Sequence, residues 1–359
     1  MDDLPEELLK EAQDIVRLVP TLIVGSGHSC AYGLPSMRDI ATYLISEMPN
    51  ILSDVDAIRL WNDLVEPIAE DLESGLNRLN SVDPGVDELL LGIRQLVTRL
   101  FQDRCAKAER LLLSEGILST PESVPLLRLI KKLYTGCSPN CASIDVITPN
   151  YDTLIELFCD AGNLPAHTGF VGYRFRWFNP GSLQNPVHQC RLVSDKGKVK
   201  RNFSILKTVR ILKPHGSVNW VIRKGQPSEM LAYQNSEEGG VIIPGPFKYR
   251  DALVNNLFDE IRMMMNKVLK STQGVIAIGY GFNDDHLQNV LEDRLASGMP
   301  MLILTKGWTP NIERVLKHHE HVVAFQKHGE GSTCAWRGNH LRLSTPVWQL
   351  DSFLKEVIE

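Results

Sequence analysis

Short apolar runs of strand length alternate along the chain with longer stretches of helical periodicity. Thr21–Val24 (TLIV) reads as a buried strand and runs into the turn Gly25-Ser26-Gly27, with a helix expected over about 38–47. The strand pattern returns at 144–148, 205–213, 274–278 and Met301–Thr305. Helices are expected after these at 152–159, from about Asp284, and over Pro310–His318. Between the first two strands, residues 51–135 are helical in pattern. Val86, Leu89, Leu90, Ile93, Leu96, Val97, Leu100 and Phe101 recur at helical spacing behind the start signal Asp83-Pro84, and Gly116 ends the run. Thr120-Pro121 repeats the start signal before a shorter helix to about Tyr134. Residues 162–204, rich in Gly, Pro and aromatics, read as irregular.

Short buried strands alternating with amphipathic helices predict the α/β class, as a Rossmann-like doubly wound parallel sheet. The expected organisation is one domain over 1–359 with a helical insertion at 51–140 and a lid-like insertion at 162–204. Ligands of such sheets bind beyond the strand C-termini. The unusual residues gather there: the 25–38 loop, 148–152, His215 and 279–284.

Composition narrows the function. The 359 residues are 43% hydrophobic and 23% charged, an ordinary globular balance. A net charge of −5 without a basic block argues against nucleic acid as a direct partner. No apolar run reaches bilayer-spanning length, so no membrane partner is expected. The start MDDLPEELLKEAQD lacks the basic and apolar segments of a signal peptide, so the expected location is cytoplasmic. Seven scattered cysteines argue against a disulfide framework, and the single close pair Cys137 and Cys141 argues against a structural zinc.

Four motifs carry candidate chemistry. Gly25-Ser26-Gly27-His28-Ser29 is a strand-to-helix turn whose glycines would let the backbone approach a pyrophosphate, although such a turn is often only a turn. Thr148-Pro149-Asn150-Tyr151-Asp152 places two polar side chains at one strand end, where burial demands hydrogen bonds. Asp152 could simply cap the next helix; Asn150 is harder to dismiss. Lys213-Pro214-His215-Gly216-Ser217 sets a histidine at a strand end, as a general base or as a structural group. Gly279-Tyr280-Gly281-Phe282-Asn283-Asp284 is a second glycine turn, suited to a ribose or phosphate, in which Asp284 is also a natural N-cap.

In this order the four motifs resemble the sirtuin superfamily, and within it the divergent bacterial sirtuin-like branch. That family's Gly-Ala-Gly-x-Ser turn and Gly-Ile-Pro-Asp-Phe-Arg segment correspond to 25–29 and to Gly33-Leu34-Pro35-Ser36-Met37-Arg38. Its Thr-Gln-Asn-x-Asp corresponds to 148–152, and its His-Gly to His215-Gly216. The departures are Met37 where deacetylases carry phenylalanine, Pro149, and the absent four-cysteine zinc module. The resemblance therefore implies NAD⁺ hydrolysis to nicotinamide and ADP-ribose without a metal, as in bacterial antiphage systems. It implies Asn150, Asp152 and His215 as catalytic residues. Gly25, Ser26, Gly27, Ser29, Arg38, Gly279, Gly281 and Asp284 would bind NAD⁺. It further implies a homo-oligomer under a regulatory protein partner, a HerA-type ATPase in preference to a short Argonaute. The alternatives are an NAD-dependent protein deacylase and a non-catalytic NAD⁺ or ADP-ribose sensor.

Overall fold

In the computed structural model the described residues are 4–80, 82–117, 119–195, 198–231, 239–241 and 252–359. Helix α1 (Glu6–Arg17) leads into β1 (Thr21–Val24), followed by the short α2 (Ser26–Cys30) and α3 (Met37–Glu47). The helical insertion holds α4 (Val55–Glu70), α5 (Leu72–Leu76), α6 (Val86–Ser114) and α7 (Pro125–Gly136). Next come β2 (Ser143–Ile147) and α8 (Leu154–Ala161), then β3 (Ala166–His167), β4 (Phe170–Gly172), β5 (Phe175–Phe178) and α9 (Pro180–Gln184). A ribbon of β6 (Val187–Asp195) and β7 (Lys198–Leu206) precedes β8 (Thr208–Leu212), β9 (Gly216–Arg223), β10 (Gln226–Met230) and β11 (Gly239–Val241). The last third holds α10 (Ala252–Ser271), β12 (Val275–Ile278), α11 (Asp285–Ala296), β13 (Met301–Thr305), α12 (Pro310–His318), β14 (Val322–His328), β15 (Gly331–Trp336), β16 (Asn339–Leu343) and α13 (Leu350–Phe353).

The main sheet runs β16-β15-β14-β13-β12-β1-β2-β8-β3. It is parallel from β14 to β3, and β14-β15-β16 is an antiparallel edge. The α/β Rossmann-like expectation therefore holds, with an antiparallel extension on one side. The chain moves one way from β1 to β2 and β8, then returns to lay β12 on the other side of β1. Such a reversal opens a crevice at the strand ends.

Strand alternation sorts the core into two layers. Leu22, Val24, Val146, Ile276, Ile278, Leu302, Leu304, Val323 and Phe325 face one side, together with α1, α3, α4, α6, α7 and α8. Ile23, Ile147, Val275, Ala277, Met301, Ile303, Val322 and Ala324 face the other, against α10, α11 and α12. The insertion shares the first layer: Trp61, Leu64, Ile68, Leu89, Ile93 and Leu96 join the core that holds the sheet residues.

Several boundaries differ from the pattern-based expectation. Helix α6 begins at Val86 behind Gly85, whose φ of 78° is left-handed, because α4 lies so close that a Cβ there would sit 2.2 Å from the Ala57 nitrogen. Asp83 instead accepts from the Asn80 N–H at 2.8 Å. Thr120-Pro121 opens a 3₁₀ turn, and α7 starts at Pro125. The expected strand 205–213 breaks at Lys207, whose ammonium donates to the carbonyls of Tyr134 (2.8 Å) and Cys137 (3.3 Å). Residues 162–204 are not irregular: they carry β3 to β7, with Val199, Phe203 and Ile205 alternating with polar neighbours in β7.

Candidate active site

Four strand ends converge on one cavity of about 180 Å³. From β1 come Ser26 and Ser29, from β2 Pro149, Asn150, Tyr151 and Asp152, from β8 His215, and from β12 Tyr280, Gly281, Asn283 and Asp284. The rest of the wall is mostly apolar: Leu34, Pro35, Met37 and Ile40 beside α3, and Phe101 of α6, with the acidic Glu73 of α5. An apolar chamber with a few convergent polar groups has the character of a small-molecule site.

The glycines are explained first by packing. A Cβ on Gly25 would lie 2.4 Å from the Gly279 carbonyl oxygen, and one on Gly27 would lie 2.9 Å from it. Gly279 itself adopts φ 59° and meets the His28 nitrogen at 2.4 Å from its would-be Cβ. The two glycine turns thus interlock backbone to backbone, which only glycine permits. The Gly27 N–H donates to the Gly279 carbonyl (2.9 Å) and the His28 N–H to the Gly25 carbonyl (3.1 Å), so both donors are satisfied within the protein.

Ser29 is the node of the polar network. Its hydroxyl donates to Asp152 Oδ2 at 2.7 Å and accepts from Asn150 Nδ2 at 2.8 Å. The other Asp152 oxygen accepts from the Leu154 N–H at 3.1 Å, so this carboxylate also holds the start of α8. Asn150 is fixed by its own backbone too: its N–H donates to the Thr148 hydroxyl, which donates to the Val24 carbonyl at 2.7 Å. The polar pair at the end of β2 is therefore tied to the end of β1.

Beneath this network lies Lys213, a lysine with no exposed side-chain surface. Its ammonium donates to the Asp152 carbonyl and to the Ser217 hydroxyl (3.0 Å), and pairs with Glu156 at 2.7 Å. A buried charge demands such partners. Burial pushes the Glu156 carboxyl above its ordinary range, with Lys213 opposing. The lysine pins the 148–152 loop to the end of β8, where His215 follows two residues later.

His215 Nε2 lies 3.0 Å from Asp284 Oδ2, and both side chains are largely buried. Asp284 Oδ1 accepts from the His286 N–H at 3.0 Å and caps α11, as its sequence position suggested. His28 is packed between Tyr32 and Phe158, and burial lowers its pKa to about 4. Burial also holds the Tyr151 phenol far above its ordinary value.

Of the candidate residues, Ser26, Ser29, Asn150, Asp152, His215, Gly281 and Asp284 line the one chamber, whereas Gly25, Gly27 and Gly279 pack against one another and are not part of the lining. Arg38 sits exposed on the first turn of α3 and is not part of the lining. Glu73, Tyr151 and Tyr280 line the chamber without having been singled out. The sequence period marks Phe101 only as part of the packing face of its helix, because periodicity cannot say which helix face meets a cavity. Among the described residues no three His, Cys, Asp or Glu side chains converge as metal ligands. None of the described helices is long and apolar enough to cross a membrane.

The family described as the SIR2-like domain matches residues 145–323, just under half of the chain. No curated protein matches the chain. The matched region carries Asn150, Asp152, His215, Gly279, Gly281 and Asp284, which supports a sirtuin-like superfamily member. SIR2-like domains use NAD⁺, which suggests an NAD-related enzymatic function.

Proposed function

We propose that the chain is an NAD⁺ glycohydrolase, cleaving the nicotinamide–ribose bond with water to give nicotinamide and ADP-ribose. The observation that carries this reading is the convergence of Asn150, Asp152 and His215 in one partly apolar chamber, the first two joined through Ser29 and their loop braced by Lys213.

The bond to be broken joins a cationic ring to a sugar. As it lengthens, its electron pair leaves with nicotinamide, which departs neutral, and positive charge develops on the ribose. Catalysis requires that the carboxamide be held, that water be placed at the anomeric carbon, and that bulk solvent be kept out. Asp152 holds the carboxamide, Asn150 positions ribose and water, and His215 takes the proton as the water oxygen bonds to carbon. The apolar wall of Leu34, Ile40 and Phe101 limits solvent. The leaving group is already activated by its charge, so the step needs no metal. Ser26 of the 25–29 loop, which lines the chamber, is assigned to the phosphates, with Arg38 reaching them only from outside the lining.

An unrestrained NAD⁺ hydrolase would harm its cell, so the same reading includes restraint by assembly. We place the chain as a homo-oligomer that acts with a regulatory protein in antiphage defence, a HerA-type ATPase in preference to a short Argonaute. The exposed apolar face of the β6–β7 ribbon supports an assembled state.

Incubating the purified chain with NAD⁺, with and without an acylated peptide and the ATPase, tests the reading. Nicotinamide release without peptide is the expected result. Release only with peptide would establish a deacylase, and tight NAD⁺ binding without release under any condition a sensor.

A further inference from the structure

We infer that Lys213 is a positioning residue that sets the spacing between the two halves of the catalytic group, the loop of Asn150 and Asp152 and the turn of His215. This rests on the reading of those three residues as catalytic.

The two halves follow different strands. Asn150 and Asp152 come after β2, and His215 after β8. These strands pair in parallel as far as Ile147 opposite Leu212. The Thr148 N–H on the Leu212 carbonyl, at 2.9 Å, extends that contact by one residue. Beyond it the strands no longer fix the distance between loop and turn.

Lys213 is the next residue, and its side chain has no exposed surface. Its ammonium makes one hydrogen bond to each half. In the loop it donates to the Asp152 carbonyl, and in the turn to the Ser217 hydroxyl at 3.0 Å. The second bond straddles His215, since Lys213 and Ser217 stand two residues before and two after it. The same turn is closed along the backbone by the Gly216 N–H on the Lys213 carbonyl at 3.1 Å, with Gly216 at a left-handed φ of 89°. Ser217 then reaches back to the loop. Its hydroxyl donates to the Tyr151 carbonyl at 3.2 Å, and the Val218 N–H donates to the same oxygen at 2.8 Å. Tyr151 stands between Asn150 and Asp152, so the bonds close a circuit through both halves.

An apolar side chain would fill this space without the desolvation penalty of an ammonium, which Glu156 offsets from 2.7 Å. Lysine therefore serves the site through the bonds that it donates. Lys213 lies beneath the chamber and is not part of its lining, so it acts on the reaction only through the residues it holds. Carboxamide, water and base must be placed together, and a misplacement of about 1 Å costs about a hundredfold in rate.

The test is hydrogen exchange on the full chain without substrate, read by mass spectrometry, beside steady-state kinetics with NAD⁺. Lys213→Met with Glu156→Leu removes both members of the buried pair and leaves no unpaired charge, so the fold is retained. Exchange in peptides covering 148–153 and 214–219 should quicken about tenfold, while β12 and β13 stay unchanged. The value of kcat should fall about a hundredfold, with a much smaller change in KM. Ser217→Ala keeps the lysine and its counter-ion and should move both readouts the same way by a smaller factor. It decides the matter alone if the double variant does not fold. Unchanged exchange in the two segments, or faster exchange with wild-type kcat, would overturn the inference. Faster exchange in a chain whose wild type releases no nicotinamide would leave the clamp standing and remove the hydrolase reading. Unchanged exchange in a chain that cleaves NAD⁺ would do the reverse.

Discussion

Asn150 and His215 stand on neighbouring strands, each at the C-terminal end, and neither carries the core. Replacing either with alanine should cut nicotinamide release about a hundredfold or more, with a melting temperature close to wild type. A well-folded His215→Ala chain with near-normal turnover would refute the mechanism. Two other histidines govern acid stability. His28 titrates at about 4 in the folded chain because burial disfavours its charge, and His167 does likewise. The unfolded chain, with histidine near 6.5, binds more protons between those two values, so stability falls as pH drops from about 6.5 to 4. Each residue accounts for about 3 kcal/mol at the acid end. His28→Phe keeps an aromatic ring against Tyr32 and Phe158 and should roughly halve this dependence, His167 supplying the rest, measured as urea midpoints at pH 7 and pH 4.5. An equally steep loss in the variant would show that His28 is not the source.

At the scale of elements, the interlocked glycine turns give the sharpest expectation. Gly25→Ala forces a Cβ into the Gly279 backbone and should destabilise by about 2–3 kcal/mol, lowering Tm by about 3–4 °C. Gly136→Ala, where nothing lies within 4 Å of the added carbon, should be neutral in the same melting experiment. The same turns show what sequence can tell. Strands β1, β2, β12 and β13 were legible because their apolar runs are short and bounded by turn residues. The motifs were legible because polar groups at strand ends are rare without cause. The β6–β7 ribbon was not, since glycine, proline and aromatics around it mask a period of two. The true start of α6 was hidden as well, because the need for Gly85 comes from α4, a contact that no local pattern records. Arg38, Ser29 and Asp284 looked alike in sequence; only Ser29 proved to hydrogen-bond other candidate side chains and only Asp284 to approach His215, because that depends on which way a turn points.

For the whole molecule, the ribbon of β6 and β7 is the feature least explained by one chain. Leu192, Val199 and Phe203 are 64–70% exposed on one of its faces, and a two-stranded ribbon alone is marginally stable in water. Its sequence, 187–206, carries five basic residues against one acidic residue, in a chain of net charge −5. The remainder of a second copy carries a net negative charge. Light scattering should find an oligomer, and Leu192→Asp with Phe203→Asp should reduce it to monomers of unchanged Tm. A monomeric wild type, or an undisturbed oligomer in the double variant, would remove the ribbon from the assembly.

The chamber has two kinds of wall. Asn150, Asp152, His215 and Asp284 fall within the stretch that matches the SIR2-like family, whereas Glu73 and Phe101 lie in helices outside it. On the proposed reading, a small molecule that copies nicotinamide would meet mainly the shared wall and would inhibit SIR2-like enzymes indiscriminately. One that also reached Phe101 with an aromatic group and Glu73 with a cation would be selective for this chain, and an escape mutation at either residue would change the drug site without altering a catalytic group.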